Sequence, residues 1–109
     1  MAEIIALDGV NWVEFFSSEM VVFILGRSDC SDCLQWYNEL TDIDLSNEWV
    51  IGKMNHDQPG IELFKQSHTW IERVDVVPYN AVFVNNEMVD HWAGGDVLRL
   101  LSHVQGFSR

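Results

Sequence analysis

Short apolar runs alternate along this chain with segments whose apolar residues recur at helical spacing, and that rhythm predicts its elements. Ile4-Ile5-Ala6-Leu7 is a brief apolar run closed by Asp8-Gly9, and it predicts a strand. Between Val10 and Phe16 the apolar residues fall at helical spacings, so a helix follows. Met20 to Leu25 is unbroken, apolar and partly β-branched, the mark of a strand buried on both faces. It stops at Gly26. Ser28 and Asp29 then offer caps for a helix from Cys30 to about Leu40, with Leu34, Tyr37 and Leu40 along one side.

A second strand-then-helix unit comes next, with a strand over Trp49 to Met54 and a helix from Pro59 to Lys65. Proline is tolerated in the first turn, where an N–H has no partner to lose. Ala81 to Val84 and Met88 to Trp92 flank Asn85-Asn86, and asparagine's acceptance of positive φ predicts a tight hairpin. Asp96 caps a last helix in which Val97, Leu100, Leu101 and Val104 share one face, with Gly106 just past its end. The order βαβαβαββα predicts an α/β fold, a central mixed sheet of four to five strands with helices on both faces. With no repeat, low-complexity tract or long linker, residues 1–109 are expected to form a single domain.

Composition adds three things. Five Trp and six Phe, within 48% hydrophobic residues, supply a core that needs neither disulfide scaffolding nor a structural metal. Seventeen acidic residues against six basic ones give a formal charge of -11, which repels nucleic-acid phosphates and anionic lipid. Neither nucleic acid nor membrane is therefore an expected partner; the acidity serves solubility, with a basic protein partner as the sharper alternative. The start Met1-Ala2-Glu3 lacks a charged n-region and an apolar h-region, and no apolar stretch has membrane-spanning length. The expectation is a cytoplasmic monomer.

Cys30 and Cys33 are the only cysteines, and they stand at the start of a helix that follows a buried strand. In a reducing compartment such a pair is more often catalytic or metal-binding than structural. Zinc would need further ligands, and His56, His68, His91 and His103 do not form the spacing that usually completes such a site. No metal and no cofactor is expected. Gly-rich phosphate loops, a serine nucleophile elbow and a His-Glu-x-x-His run are all missing, so hydrolase and nucleotide readings have no residues behind them.

Redox chemistry fits the pair better. Cys30, in the first turn, lies where free backbone N–H groups favour thiolate, which makes it the expected nucleophile, with Cys33 as the resolving thiol. Asp29 and Asp32 each precede a cysteine and disfavour a second negative charge, while Arg27 offsets part of that acidity. A less stabilised thiolate predicts a reductant rather than a strong oxidant.

With the cysteines placed between a buried strand and a helix, the chain resembles the thioredoxin family over nearly its whole length. Val77-Pro78 looks like the family's Val/Ile-Pro dipeptide, whose proline is cis and packs beside the cysteines. Ala93-Gly94, with Gly94 sixteen residues after Pro78, looks like the family's return to a glycine that leaves room for a substrate backbone. The interval is longer than in glutaredoxins, whose Gly-Gly-Asp is otherwise similar to Gly94-Gly95-Asp96.

The resemblance implies a thioredoxin fold, a protein-disulfide reductase acting on disulfide-containing proteins, and a thioredoxin reductase-type electron donor. It implies a substrate surface made of Asp29, Ser31, Val77, Pro78, Ala93 and Gly94. Lys53 matches a lysine that in thioredoxins lies under the active site beside a buried aspartate. Here Ile24 occupies that aspartate's place, six residues before Cys30, so the family's proton acceptor for Cys33 is missing. Asp32 is the expected substitute, with Lys53 as the second candidate.

The family's Trp before the first cysteine and Gly-Pro between the two are replaced by Asp29 and Ser31-Asp32, which narrows the expected substrate range. His68-Thr69-Trp70 looks like an insertion relative to compact thioredoxins, with Trp70 expected in the core rather than at a partner surface. The alternative from another class is a redox-inactive thioredoxin-fold interaction module, favoured by the missing aspartate and the altered active-site run.

Overall fold

A computed structural model describes residues 3–43, 45 and 48–107. Its strands are β1 (Ile4–Ala6), β2 (Met20–Gly26), β3 (Trp49–Asn55), β4 (Tyr79–Val84) and β5 (Glu87–Ala93). Its helices are α1 (Trp12–Phe16), α2 (Ser31–Thr41), α3 (Glu62–Ser67) and α4 (Val97–Phe107), with a 3-10 helix over Thr69–Arg73. The five strands form one sheet in the order β1-β3-β2-β4-β5, parallel from β1 to β2 and antiparallel from β2 to β5. The predicted element order stands, with the 3-10 helix added.

β2 sits at the centre because every one of its residues can be buried. Met20, Val22 and Ile24 point into a cluster with Trp36, Leu40, Leu100 and Val104, so α2 and α4 cover that face. Val21, Phe23 and Leu25 point the other way, against Phe15, Phe16, Phe64 and Ile71, so α1, α3 and the 3-10 helix cover the second face. The period-2 alternation of a strand thus feeds two cores from one apolar run. Asn85 and Asn86 adopt φ of 51° and 65°, the left-handed pair that a two-residue hairpin needs.

Three local expectations are corrected. Neither Ser28 nor Asp29 caps α2: Ser28 gives both its N–H and its hydroxyl to Asp57, and Cys30 is the cap residue. Pro59 lies before α3 rather than in its first turn, because Gly60 at φ 83° turns the chain and the helix begins at Glu62. Gly106 lies inside α4, where its φ is not positive and nothing forces the helix to end. His68 packs face to face with Phe64 and Phe16, at ring-centroid distances of 4.4 and 4.9 Å, and this stacking leads the chain into the 3-10 turn. Trp70 is half-buried there against Phe23 and Tyr79, at the edge of the second core rather than inside it.

α4 is fastened to β5 by charge as well as by apolar contact. Asp96 Oδ1 accepts the Arg99 N–H at 3.0 Å, the predicted cap. The Arg99 guanidinium donates to both Asp90 oxygens, at 2.9 and 3.1 Å, and lies 4.9 Å from the Trp92 ring centroid. His103 Nε2 is 2.5 Å from the same carboxylate.

The guanidinium holds the Asp90 carboxyl down to about 2, below its ordinary 3.8. A carboxyl whose folded value is depressed contributes stability above its unfolded value and loses it as pH falls through the folded one. Asp90→Asn is therefore expected to cost about 1 to 2 kcal/mol at neutral pH, allowing for partial solvation. In urea melts the gap to the native protein should close between about pH 4 and pH 2. A gap that stays constant over that range would remove the ion pair as its cause.

Candidate functional site

The chain leaves β2 at Gly26 and turns through Arg27, Ser28 and Asp29 before α2, a turn pinned by Asp57. That pinning sets Cys30 at the N-cap in an extended conformation and Cys33 in the first turn. The two are joined by a disulfide with Cα atoms 5.2 Å apart. Cys33 N–H donates to Cys30 Sγ at 3.0 Å, so the sulfur occupies the place an oxygen takes in an ordinary helix cap. A backbone donor and the positive end of α2 both aim at Cys30, the environment that favours a thiolate.

The two sulfurs are unequal. Cys30 is partly exposed, whereas Cys33 is 1% exposed. Cys30 Sγ lies 3.9 Å from the Val77 carbonyl oxygen, and the Val77-Pro78 peptide is cis, as the resemblance implied. Pro78 is buried and its carbonyl accepts the Gly94 N–H at 2.8 Å. Gly94 holds φ at 88°, a conformation that a side chain would strain.

Val77, Pro78 and Gly94 thus meet along a cavity of about 240 Å³ whose other wall is Asp32, Trp36 and Glu39. Asp29, Ser31 and Ala93 are exposed but do not line it. Behind the groove, Trp36 Nε1 donates to Asn80 Oδ1 at 2.8 Å, and Asn80 Nδ2 donates to the Gly94 carbonyl at 2.8 Å and the Trp92 carbonyl at 3.3 Å.

A second cavity, of about 160 Å³, lies under Cys33 and is lined by Arg27, Lys53, Asn55 and Tyr37. Lys53 is therefore where the resemblance put it, with Nζ 4.6 Å from the Tyr37 ring centroid. Ile24 is fully buried in the apolar cluster beside Cys33. Asp32 does not line this cavity; it is exposed on the groove side of α2. Burial pushes the Tyr37 hydroxyl up from its ordinary value, so it stays protonated at neutral pH. The hydrogen bonds from Ser28 hold Asp57 below the usual carboxylate range.

Sequence reasoning missed Asn80, Trp36 and the role of Tyr37. Tyr37 had a usable signal, four residues after Cys33 on the same helix face. Asn80 had none, since its partner Trp36 is 44 residues away. Among the described residues no group of three or more His, Cys, Asp or Glu side chains could hold a metal ion. No described helix is long and apolar enough to cross a membrane.

No family model matches the sequence, and no curated protein matches it. Solved structures do. Thioredoxin f2 of Chlamydomonas reinhardtii superimposes with a TM-score of 0.75 at 18% identity, over 97% of each chain. Oxidised thioredoxin O2 of Arabidopsis thaliana gives 0.74 at 20% identity, over 99% of this chain and 96% of that one. The thioredoxin of Trichomonas vaginalis gives 0.71 at 18% identity, over 96% and 97%. The fold of this chain is the thioredoxin fold.

Proposed function

We propose that this protein is a thiol-disulfide oxidoreductase that reduces protein disulfides by cycling Cys30 and Cys33 between dithiol and disulfide. The observation that carries the reading is the inequality of the pair, an accessible sulfur beneath a backbone donor with a buried sulfur bonded to it. In the reduced form the Cys30 thiolate attacks one sulfur of a substrate disulfide, giving a mixed disulfide and expelling the other sulfur as a thiolate that takes a proton from solvent. Cys33 then gives up its proton and attacks Cys30 Sγ. The bond from Cys30 to the substrate breaks, the second substrate sulfur leaves as a thiolate, and the enzyme holds the disulfide seen here. The substrate gains two electrons in total, and a thioredoxin reductase-type donor returns them to the pair.

In this reading Val77, Pro78, Ala93 and Gly94 hold the substrate chain, with the Val77 carbonyl beside the reacting sulfur. Asp29 and Asp32 give the active-site run an acidic character, with Ser31 as a neutral polar neighbour, so basic residues beside the target disulfide improve binding. The formal charge of -11 points the same way. The reading places the protein in a reducing compartment, the cytoplasm, as a monomer.

Reduction of a model protein disulfide with dithiothreitol as electron source tests it, together with the reduction potential of the pair. Catalysed turnover and a potential below roughly -180 mV, the value typical of disulfide isomerases, are expected. Turnover no faster than dithiothreitol alone would leave a redox-inactive interaction module.

A further inference from the structure

The mechanism needs Cys33 as a thiolate inside an apolar cluster, and the residue beneath it in thioredoxins, a carboxylate, is here Ile24. Desolvation alone opposes that charge, so something in the cavity must favour it. The space over Gly26 shows what is available. A methyl group built on Gly26 would lie 2.6 Å from Tyr37 Oη, 3.2 Å from Cys33 Sγ and 3.3 Å from Asn55 Oδ1. The hydroxyl, the amide oxygen and the sulfur therefore ring one methyl-sized space that exists because residue 26 has no side chain.

Tyr37 Oη is buried and has no hydrogen-bond partner among the described residues. The other buried polar side-chain atoms in that condition are the indole nitrogens of Trp49, Trp70 and Trp92, none of which lines the cavity under Cys33. A buried hydroxyl without a partner costs about 1 to 3 kcal/mol, so one facing a reactive sulfur is a donor waiting for an acceptor. A disulfide sulfur is a weak acceptor; a thiolate is a strong one.

Resting on the oxidoreductase reading, we propose that the Tyr37 hydroxyl is the hydrogen-bond donor that stabilises Cys33 as a thiolate, in the place where a carboxylate would otherwise manage its proton. The Lys53 ammonium over the ring holds Tyr37 in position and adds positive potential to the cavity. Arg27 contributes a second positive charge from the loop after β2. Asp57 does not line the cavity and is committed to Ser28, and Asp29 and Asp32 are exposed and do not line it either.

The Cys33 thiol loses its proton to water at the cavity mouth, and Tyr37 keeps its own proton throughout while donating to the sulfur. Thiolate attack on Cys30 Sγ then forms the Cys30–Cys33 bond and expels the substrate thiolate, which is protonated by solvent. Buried hydroxyl and ammonium thus act on the equilibrium between thiol and thiolate, and they form no covalent bond.

The test reads Cys33 directly. In the reduced protein, the Cys33 ¹³Cβ resonance is followed against pH in the native chain and in Tyr37→Phe, which keeps the ring and its packing. The Cys33 midpoint is expected to rise by about one unit in the variant, a tenfold smaller thiolate fraction at neutral pH. In parallel, Cys30 is loaded with thionitrobenzoate and its release by Cys33 is timed. Release should slow about tenfold near pH 7 and converge with the native rate at high pH.

Gly26→Ala, which fills the space between hydroxyl and sulfur, should shift both profiles in the same direction. Superimposable profiles in native protein and Tyr37→Phe would overturn the proposal even if the protein reduces its substrates. A shifted Cys33 midpoint in a chain that reduces no protein disulfide would uphold Tyr37 and overturn the reductase reading instead.

Discussion

Cys33→Ser is expected to stop the catalytic cycle halfway and to leave Cys30 joined covalently to its substrate. Cys30 keeps its partial exposure and its position at the cap of α2, so the first attack is unimpaired. A serine hydroxyl at neutral pH is not a nucleophile toward a disulfide, so the adduct has no internal route to release. Turnover in the dithiothreitol assay falls toward the rate of dithiothreitol alone; when the pre-reduced variant meets substrate without added reductant, a higher-mass species accumulates that dithiothreitol dissolves. Mass spectrometry of that species identifies the substrate.

Cys30→Ser should lose turnover as completely but form no adduct, because the remaining sulfur is only 1% exposed. The contrast between the variants is the informative result. Equal adducts from both would mean that burial does not separate the roles of the two sulfurs. Undiminished turnover in Cys33→Ser would mean that the pair does not work as a dithiol.

The same distinction between what is near in sequence and what is near in space explains which features were legible beforehand. The uniform run of β2, the Asn85-Asn86 hairpin and the cap at Asp96 rest on residues within a few positions of one another, and the structure holds them as read. Val77-Pro78 is legible by its likeness to the family's dipeptide and Gly94 by its interval from Pro78, and they converge on the same groove. What sequence reading lost depended on distant partners. Ser28 is a plausible cap until Asp57, 29 residues on, takes its hydrogen bonds. Asp32, adjacent to Cys33 along the chain, faces the groove, because successive residues of a helix point about 100° apart. Tyr37, one turn further on, lines the cavity under Cys33 together with that sulfur.

Asn80→Ala is expected to be the most destabilising single substitution near the site. Asn80 is fully buried, and its side chain makes three hydrogen bonds, one from Trp36 Nε1 and two to the carbonyls of Gly94 and Trp92. Alanine fills neither the volume nor the bonding. It leaves a buried indole N–H and two carbonyls to find other partners, at about 1 to 3 kcal/mol for each that fails. With the cavity left behind, a loss of about 3 to 5 kcal/mol is expected, against a total of roughly 5 to 15 for a small domain. For a domain of this size that is a fall in Tm of roughly 15 °C or more.

The consequence reaches the groove because the same asparagine ties α2, β4 and the Gly94 turn together. Gly95 adds to this coupling, since a side chain there would meet the Trp36 ring at 2.8 Å. Once the tie is cut, Trp36 and the Gly94 turn lose their common anchor while Cys30 and its cap remain. KM for a protein disulfide should therefore rise more than the Cys30–thionitrobenzoate release rate falls. Denaturant melts and the two rates measured on one preparation decide it. A stability loss below about 1 kcal/mol would show that the three bonds are not what holds the groove in shape.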